Sequence, residues 1–378
     1  MDRIFRIFFL LTGFAPFLVM GQGTLPSRFY AHYTGNIGGI YQLVADLIRV
    51  NDSIYGNYYF SVSDYDQSSY YYYYGKTVPL CGKVIGNNIE MKDLSGTKYS
   101  KFVGLFSGLP KISGNWVSSD GNNNLPFQLQ ENYSKTSVGM LVWRLQDVQP
   151  LKKEKNSPTA RIALTMLLPA ESGNPLVSDS LKLIILRSFS EGGSEVNQPD
   201  TLLKRMKDRY FAFYHSYSLD QYKSEAPQEY MWEKRKRMSI LCNEDGILTY
   251  SVDSYGYTGT SATSMHDFFT VDLSSGKLVT PADVFVQGYE DSLSVKLTEK
   301  IRKKFKIPEG TSLKEAGFFS DVIKPCDNFY LLKEGIGFYY SPYVIAGSDR
   351  GDIRILFGYD EIRTLLKKGS ILSNVLRW

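Results

Sequence analysis

Three short strings in the first third of the chain repeat one pattern. Ile54-Tyr55-Gly56-Asn57-Tyr58, Phe102-Val103-Gly104-Leu105-Phe106 and Ile112-Ser113-Gly114-Asn115-Trp116 each read apolar, any, glycine, any, aromatic. Side chains of a strand alternate between its faces, so the apolar, glycine and aromatic positions share one side. Glycine at that place lets the sheet bend sharply or lets a neighbouring ring lie over the backbone. The pattern predicts a curved sheet, an antiparallel meander or a small closed barrel. Asn51-Asp52-Ser53, Gly86-Asn87-Asn88 and Asp120-Gly121-Asn122 stand between strand-like runs and suit tight hairpins, because Gly and Asn tolerate positive φ. Residues 23–131 therefore read as one β domain.

Composition supports this. The chain of 378 residues holds 28 Tyr, 22 Phe and 32 Gly, and aromatic rings fit pleated, half-buried surfaces. That much apolar area offsets the entropy of ordering the chain and excludes general disorder. The length exceeds what one core usually holds, so two or three domains are expected. The 43 Lys+Arg and 39 Asp+Glu leave a charge of +4, too small and dispersed for a nucleic-acid partner. The run Tyr70–Tyr74 puts rings on both faces of a strand, which suits an edge strand or loop, or a stacking platform for a sugar or peptide.

Residues 1–22 read as a signal peptide: Arg3 and Arg6 precede the apolar stretches Ile7 to Leu11 and Phe14 to Met20, with cleavage expected after Gly21. The apolar stretch is shorter than the ~20 residues of a helical span and contains Gly13 and Pro16. No stable membrane span is expected, and the mature chain is placed in the periplasm or outside the cell. Cys81, Cys242 and Cys326 lack the C-x-x-C spacing of metal and redox sites. In an oxidising compartment Cys242 and Cys326 pair, or all three remain buried free thiols.

Composition shifts between Glu131 and Pro158, through the charged Lys152-Lys153-Glu154-Lys155, and a domain boundary is expected there, with residues 137–378 forming the second domain. Strand-like runs such as Ala160–Leu168, Met238–Cys242, Leu248–Tyr257 and Gly335–Tyr340 alternate with helical periods. One helix, capped by Ser178 or Asp179, carries Leu181, Ile184 and Ile185; a second carries Leu203, Met206, Tyr210 and Phe213. The third, Asp291–Phe305, repeats Leu293, Leu297, Ile301 and Phe305, with Lys300, Lys303 and Lys304 near its C-terminal end. The fold expected is α+β: an antiparallel meander or small barrel, then a mainly antiparallel sheet with helices packed on one side.

Reactive constellations are sparse. The histidines are His32, His215 and His266, and no zinc-protease, nucleophile-elbow, phosphate-loop or calcium-loop pattern occurs. His266 beside Asp267 suggests a base and its orienter, but neighbours in a strand point to opposite faces. His32, between Ala31 and Tyr33, reads as a strand surface residue. Lys234-Arg235-Lys236-Arg237 reads as a solvated helix end or as a contact for an anionic polymer such as cell-wall glycan. No enzyme activity, metal or cofactor is expected from these patterns.

Tyr250–Gly259, the string from Phe268 to Phe285, the helix after it, Asn328-Phe329-Tyr330-Leu331-Leu332 and finally Gly335-Ile336-Gly337-Phe338-Tyr339-Tyr340-Ser341-Pro342-Tyr343-Val344-Ile345-Ala346 form an ordered set. Over about residues 137–370 this set resembles the exported domain of unknown function shared by RsiV-type anti-sigma factors and PdaC-type peptidoglycan deacetylases. The Tyr-rich front is similar to a β module that precedes this domain in secreted proteins. The resemblance implies binding: the domain recognises lysozyme in RsiV-type proteins and accompanies a separate catalytic domain in PdaC-type proteins. It implies Pro342 and Tyr343 as binding residues, with Ile345 and Ala346 supporting the loop. The expected function is a non-catalytic exported binding protein for an envelope glycan or a lysozyme-like hydrolase. The alternatives are an envelope hydrolase or deacetylase with an unrecognised site, and an assembly protein whose Tyr70–Tyr74 strand augments a partner's sheet.

Overall fold

The computed structural model describes residues 25–61, 75–94, 96–107, 111–170, 175–191, 198–223 and 225–376. The leader 1–22 and the Tyr70–Tyr74 run lie outside them. Eight strands form the front: β1 (Arg28–Ile37), β2 (Tyr41–Val50), β3 (Ser53–Phe60), β4 (Val78–Ile85), β5 (Asn88–Asp93), β6 (Lys101–Phe106), β7 (Lys111–Val117) and β8 (Asn124–Glu131). They run antiparallel in sequence order and close into a barrel through β8 and β1, where Ile37 pairs with Phe127. The hairpin residues act as their chemistry requires: Asn51, Gly86 and Gly121 all take positive φ.

The repeated glycines do more than bend the sheet. Gly104 and Gly114 are partners across β6 and β7, and a Cβ on Gly114 would overlap the Gly104 Cα and the Val103 carbonyl oxygen. Strands that close a barrel this tightly leave no room for a side chain at the crossing. The rings freed by this closeness fill the interior, where Phe102 meets Tyr58 and Phe127 edge to face at 5.4 and 5.2 Å.

The second half is the mainly antiparallel α+β region expected, and it divides into two sheets. A six-stranded sheet has the order β14-β13-β12-β11-β10-β9, built from β9 (Met140–Pro150), β10 (Thr159–Pro169), β11 (Trp232–Glu244), β12 (Ile247–Thr258), β13 (Ala262–Asp272) and β14 (Lys277–Leu278). The charged segment 152–158 is the connection between β9 and β10. Only β10 and β11 pair in parallel. A parallel pair needs a long crossover, and this one contains α1 (Pro175–Phe189) and α2 (Pro199–Ser218). Ser178 and Asp179 lie inside α1, which starts with Pro175, a residue whose fixed φ suits a first helical position. Leu181, Ile185, Phe189, Leu203, Met206 and Tyr214 bury against Ile162, Leu164, Ile240 and Tyr250 of the sheet. Phe213 does not join them; it is exposed and packs on Trp232 at the start of β11.

After the short α3 (Pro281–Val284), α4 (Tyr289–Lys304) covers a three-stranded sheet of β15 (Phe329–Leu331), β16 (Gly335–Tyr340) and β17 (Ile353–Gly358). Leu293, Leu297 and Ile301 meet Ile336, Phe338 and Phe357 in one core. Asn328 holds this sheet to β13, accepting from the Phe268 N–H and donating to the His266 carbonyl, each at 2.9 Å.

Two expectations about charged residues are corrected. His32 is not a surface residue: it is 1% exposed, because the barrel packs that face of β1 against the end of β11. Its Nδ1 lies 2.8 Å from Asp46, and its Nε2 3.9 Å from Glu244. Lys234–Arg237 is no helix end but lies in the first half of β11; strand alternation sends Lys236 inward over Phe189 and leaves Arg235 and Arg237 on the other face. Of the two cysteine alternatives the structure has the free thiols, though only Cys242 is fully buried, with Cys326 half-buried and Cys81 exposed on β4. Burial pushes the Cys242 thiol up to about 12, which makes it unreactive at neutral pH.

Two outcomes follow. Gly114→Val should destabilise the chain by about 1–3 kcal/mol or more, read as a lowered denaturant midpoint, since backbone on the partner strand must move. Burial disfavours the charged imidazole of His32, but Asp46 and then Glu244 outweigh it and raise its pKa above 6.5. A raised folded pKa gives stability that is complete below the unfolded value of about 6.5 and is lost as pH rises through the folded value. Thermal melting should therefore drop as pH rises above 6.5, and His32→Gln should lower stability at pH 6 and flatten that slope.

Candidate functional site

The loop after β16 is built on a wholly buried strand: every residue of Gly335–Tyr340 is buried. Beyond it the chain turns on itself, with the Val344 N–H donating to the Ser341 carbonyl at 3.2 Å and the Tyr343 N–H to the Ala346 carbonyl at 3.0 Å. This turn places Tyr343 at φ +67°, a left-handed backbone conformation rare for a bulky residue. Its ring is 70% exposed, and its hydroxyl donates to Ser348 Oγ at 2.8 Å. Val344 is also exposed, whereas Pro342 and Ile345 are half-buried and Ala346 is buried. Ile345 and Ala346 pack on the α4 core, so of the four candidate residues it is Tyr343 that is presented.

Residues not anticipated from sequence hold this loop in place. The Phe319 N–H donates to the Ile345 carbonyl at 2.9 Å, and Phe318 bridges to Ala346. Phe319 and Val322 add exposed apolar surface on that adjoining segment. Arg350 lies over the rings of Phe305 and Phe318 at 5.1 and 4.9 Å and donates to the Ala316 carbonyl, tying the far end of the loop to the body. The result is a loop anchored to the body at both ends that presents Tyr343.

The one histidine–carboxylate pair near solvent is His266 Nδ1 with Asp253, 2.8 Å apart on neighbouring strands. Asp267, next in sequence, faces the opposite side, where burial raises its carboxyl and Lys236 opposes that rise. Burial also pushes Asp253 upward, but the hydrogen bond from His266 and the charge of Arg237 win and hold it below its ordinary value. Among the described residues, the contacts of the His266 ring are Asp253 and, edge-on, Tyr339 at 5.6 Å. No group of three or more His, Cys, Asp or Glu among the described residues has the arrangement of a metal site.

The architecture is thus an eight-stranded antiparallel barrel followed by an α+β region of antiparallel sheets that presents a rigid aromatic tip. Residues 282–360, which hold α4, the three-stranded sheet and the tip, match the family model described as protein of unknown function DUF3298. A member of the DUF3298 family from Bacteroides fragilis NCTC 9343 is similar in structure, with 22% identity over 64% of this chain and 99% of that one and a TM-score of 0.57. That likeness shows a shared fold. A DUF3298 family protein from Pseudomonas aeruginosa PAO1 aligns over 64% of this chain and 99% of that one, at 15% identity and a TM-score of 0.45. No curated protein matches the chain.

A left-handed position discriminates alanine from glycine by about 1–2 kcal/mol. Tyr343→Gly should therefore melt at a higher temperature than Tyr343→Ala; equal melting would show that the turn relaxes without strain.

Proposed function

We propose that this chain is a non-catalytic, exported binding protein whose Tyr343 tip enters the cleft of an envelope-attacking hydrolase of the lysozyme type. The observation that carries the reading is the exposed ring of Tyr343 held in a left-handed backbone conformation. Backbone strain of this kind costs about 1–3 kcal/mol and persists where the presented side chain has a task. A ring with two side-chain torsions loses little entropy on contact, and aromatic anchors dominate interfaces. Its shape favours a protein partner: a convex apolar tip with Val344 and Phe319 beside it fills a concavity, and the cleft of a glycan hydrolase is one. The resemblance to RsiV-type and PdaC-type exported domains supports the same reading. A cell-envelope glycan is the second ligand, favoured by the flat ring face that Tyr343 offers to a sugar.

His266 and Asp253 argue against turnover by their placement. They sit on a sheet face, with no hydroxyl or thiol among the described residues hydrogen-bonded to the imidazole. A nucleophile–base pair requires such a bond.

Immobilised native chain is expected to retain lysozyme, and Tyr343→Ala to lose at least about ten-fold in affinity with an unchanged circular-dichroism spectrum. Retention of insoluble peptidoglycan instead, with the same Tyr343 dependence, selects the glycan. Glycan cleavage abolished by Asp253→Asn would replace binding with catalysis.

A further inference from the structure

The face of the six-stranded sheet that meets the barrel carries an ordered polar row. Arg144 on β9, Thr165 on β10, Arg237 on β11, Asp253 on β12 and His266 on β13 are successive pairing partners. Strands lie about 4.8 Å apart, so the Cα atoms of Arg144 and Arg237 are roughly 10 Å apart, and their side chains rise on the same side. From the barrel, Tyr55 of β3 reaches this row beside Arg237. Its hydroxyl donates to the Met238 carbonyl at 3.3 Å, and the Arg237 guanidinium lies over its ring at 5.1 Å. β1 packs against β9, bringing Arg28 to the same junction.

Charge at this junction is unbalanced. Burial lowers the pKa of Arg144, the like charge of Arg28 lowers it further, and Tyr55 opposes both. Arg144 donates to Gln146, a neutral group, and neither Arg28 nor Arg144 has a carboxylate within ion-pair distance among the described residues. Asp253 is the one acid here, and it is shared: His266 takes one oxygen at 2.8 Å, while Arg237 Nε stands 3.6 Å from the other. Three guanidiniums against one carboxylate leave two positive charges.

The other basic surface differs. In the cleft along α4, Lys300 donates to Glu361 and to the Leu356 carbonyl, each at 2.8 Å, and Lys304 donates to the Arg354 carbonyl at 3.1 Å. Those ammonium groups already have partners, so that cleft makes a control.

We propose that the junction of barrel and sheet is an oxyanion site for a phosphate-bearing ligand, gripped by Arg28, Arg144 and Arg237 beside the ring of Tyr55. Two excess positive charges match one dianionic phosphate, and the planar guanidinium fork suits phosphoryl oxygens. The site is separate from the Tyr343 tip, so either stands if the other fails.

Calorimetric titration of the full chain with inorganic phosphate, and in parallel with a glycerol-phosphate oligomer, tests it. Binding is expected in at least one arm, and the tighter arm tells a free phosphate from one carried on a polymer. A hydrogen bond to a charged group is worth ~1.5–3 kcal/mol, so Arg144→Gln and, separately, Arg28→Gln should each weaken binding about ten-fold or more, while Lys304→Gln in the α4 cleft leaves it unchanged. Arg28 is exposed at the start of β1, so Arg28→Gln keeps its fold even if Arg144→Gln does not. No binding in either arm, affinity unchanged in Arg28→Gln, or an equal loss in Lys304→Gln would each overturn the assignment.

Discussion

The structure depends on a buried polar joint between the barrel and the end of β11. The Tyr30 hydroxyl donates to Asp46 at 2.6 Å and accepts from the Asn243 side chain at 2.7 Å; His32 bridges Asp46 and Glu244, and Tyr59 donates to Glu244. A bulge in β11 between Ile240 and Cys242 displaces the ladder, and the Asn57 side chain donates to the Ile240 carbonyl at 2.7 Å. Buried ionic clusters add little net stability compared with apolar packing. Their effect is on register. Sliding the barrel by one residue would strand Asp46 and Glu244 without partners, at a cost of several kcal/mol, so one docking geometry is selected. Because that geometry sets where Tyr55 and Arg28 meet the sheet, the arginine junction is a consequence of the joint.

Much of this fold was legible locally. Positive-φ residues at Asn51, Gly86 and Gly121 mark hairpins by chemistry that no tertiary contact needs to supply, and the meander follows. α4 was legible because Leu293, Leu297 and Ile301 recur at the helical period with cations at the end. What the reading missed lies in cross-strand partnership. His32 is an isolated polar residue in sequence, and only the pairing of β1 with β2 sets it beside Asp46. The Lys234–Arg237 run has no periodicity that separates strand from helix, and its division into an inward Lys236 and outward Arg235 and Arg237 requires the β11 register.

The same limit applies to the two sites. Tyr343 could be named because it lies in one continuous string, yet its strained φ comes from hydrogen bonds that close the turn and from Arg350 locking its far end. The partner of His266 could not be named: strand alternation excludes Asp267, but selecting Asp253 requires knowing that β12 and β13 pair with that offset. The arginine junction draws on β1, β9 and β11, so no window of sequence contains it.

On the proposed reading, shape is what separates binding from chemistry. Electrostatic stabilisation of a transition state depends on preorganised groups in a water-excluded site, where a low dielectric strengthens each interaction. Here the His266–Asp253 pair is partly exposed on a sheet face, and Arg237 draws on the same carboxylate, which holds that carboxyl as a charged structural partner. Recognition needs less enclosure. A ring entering a partner's cleft is desolvated by the partner, and guanidiniums that outnumber the carboxylates beside them release their mutual repulsion when an anion arrives. On both proposals, each feature would become more favourable on association than it is in the isolated chain.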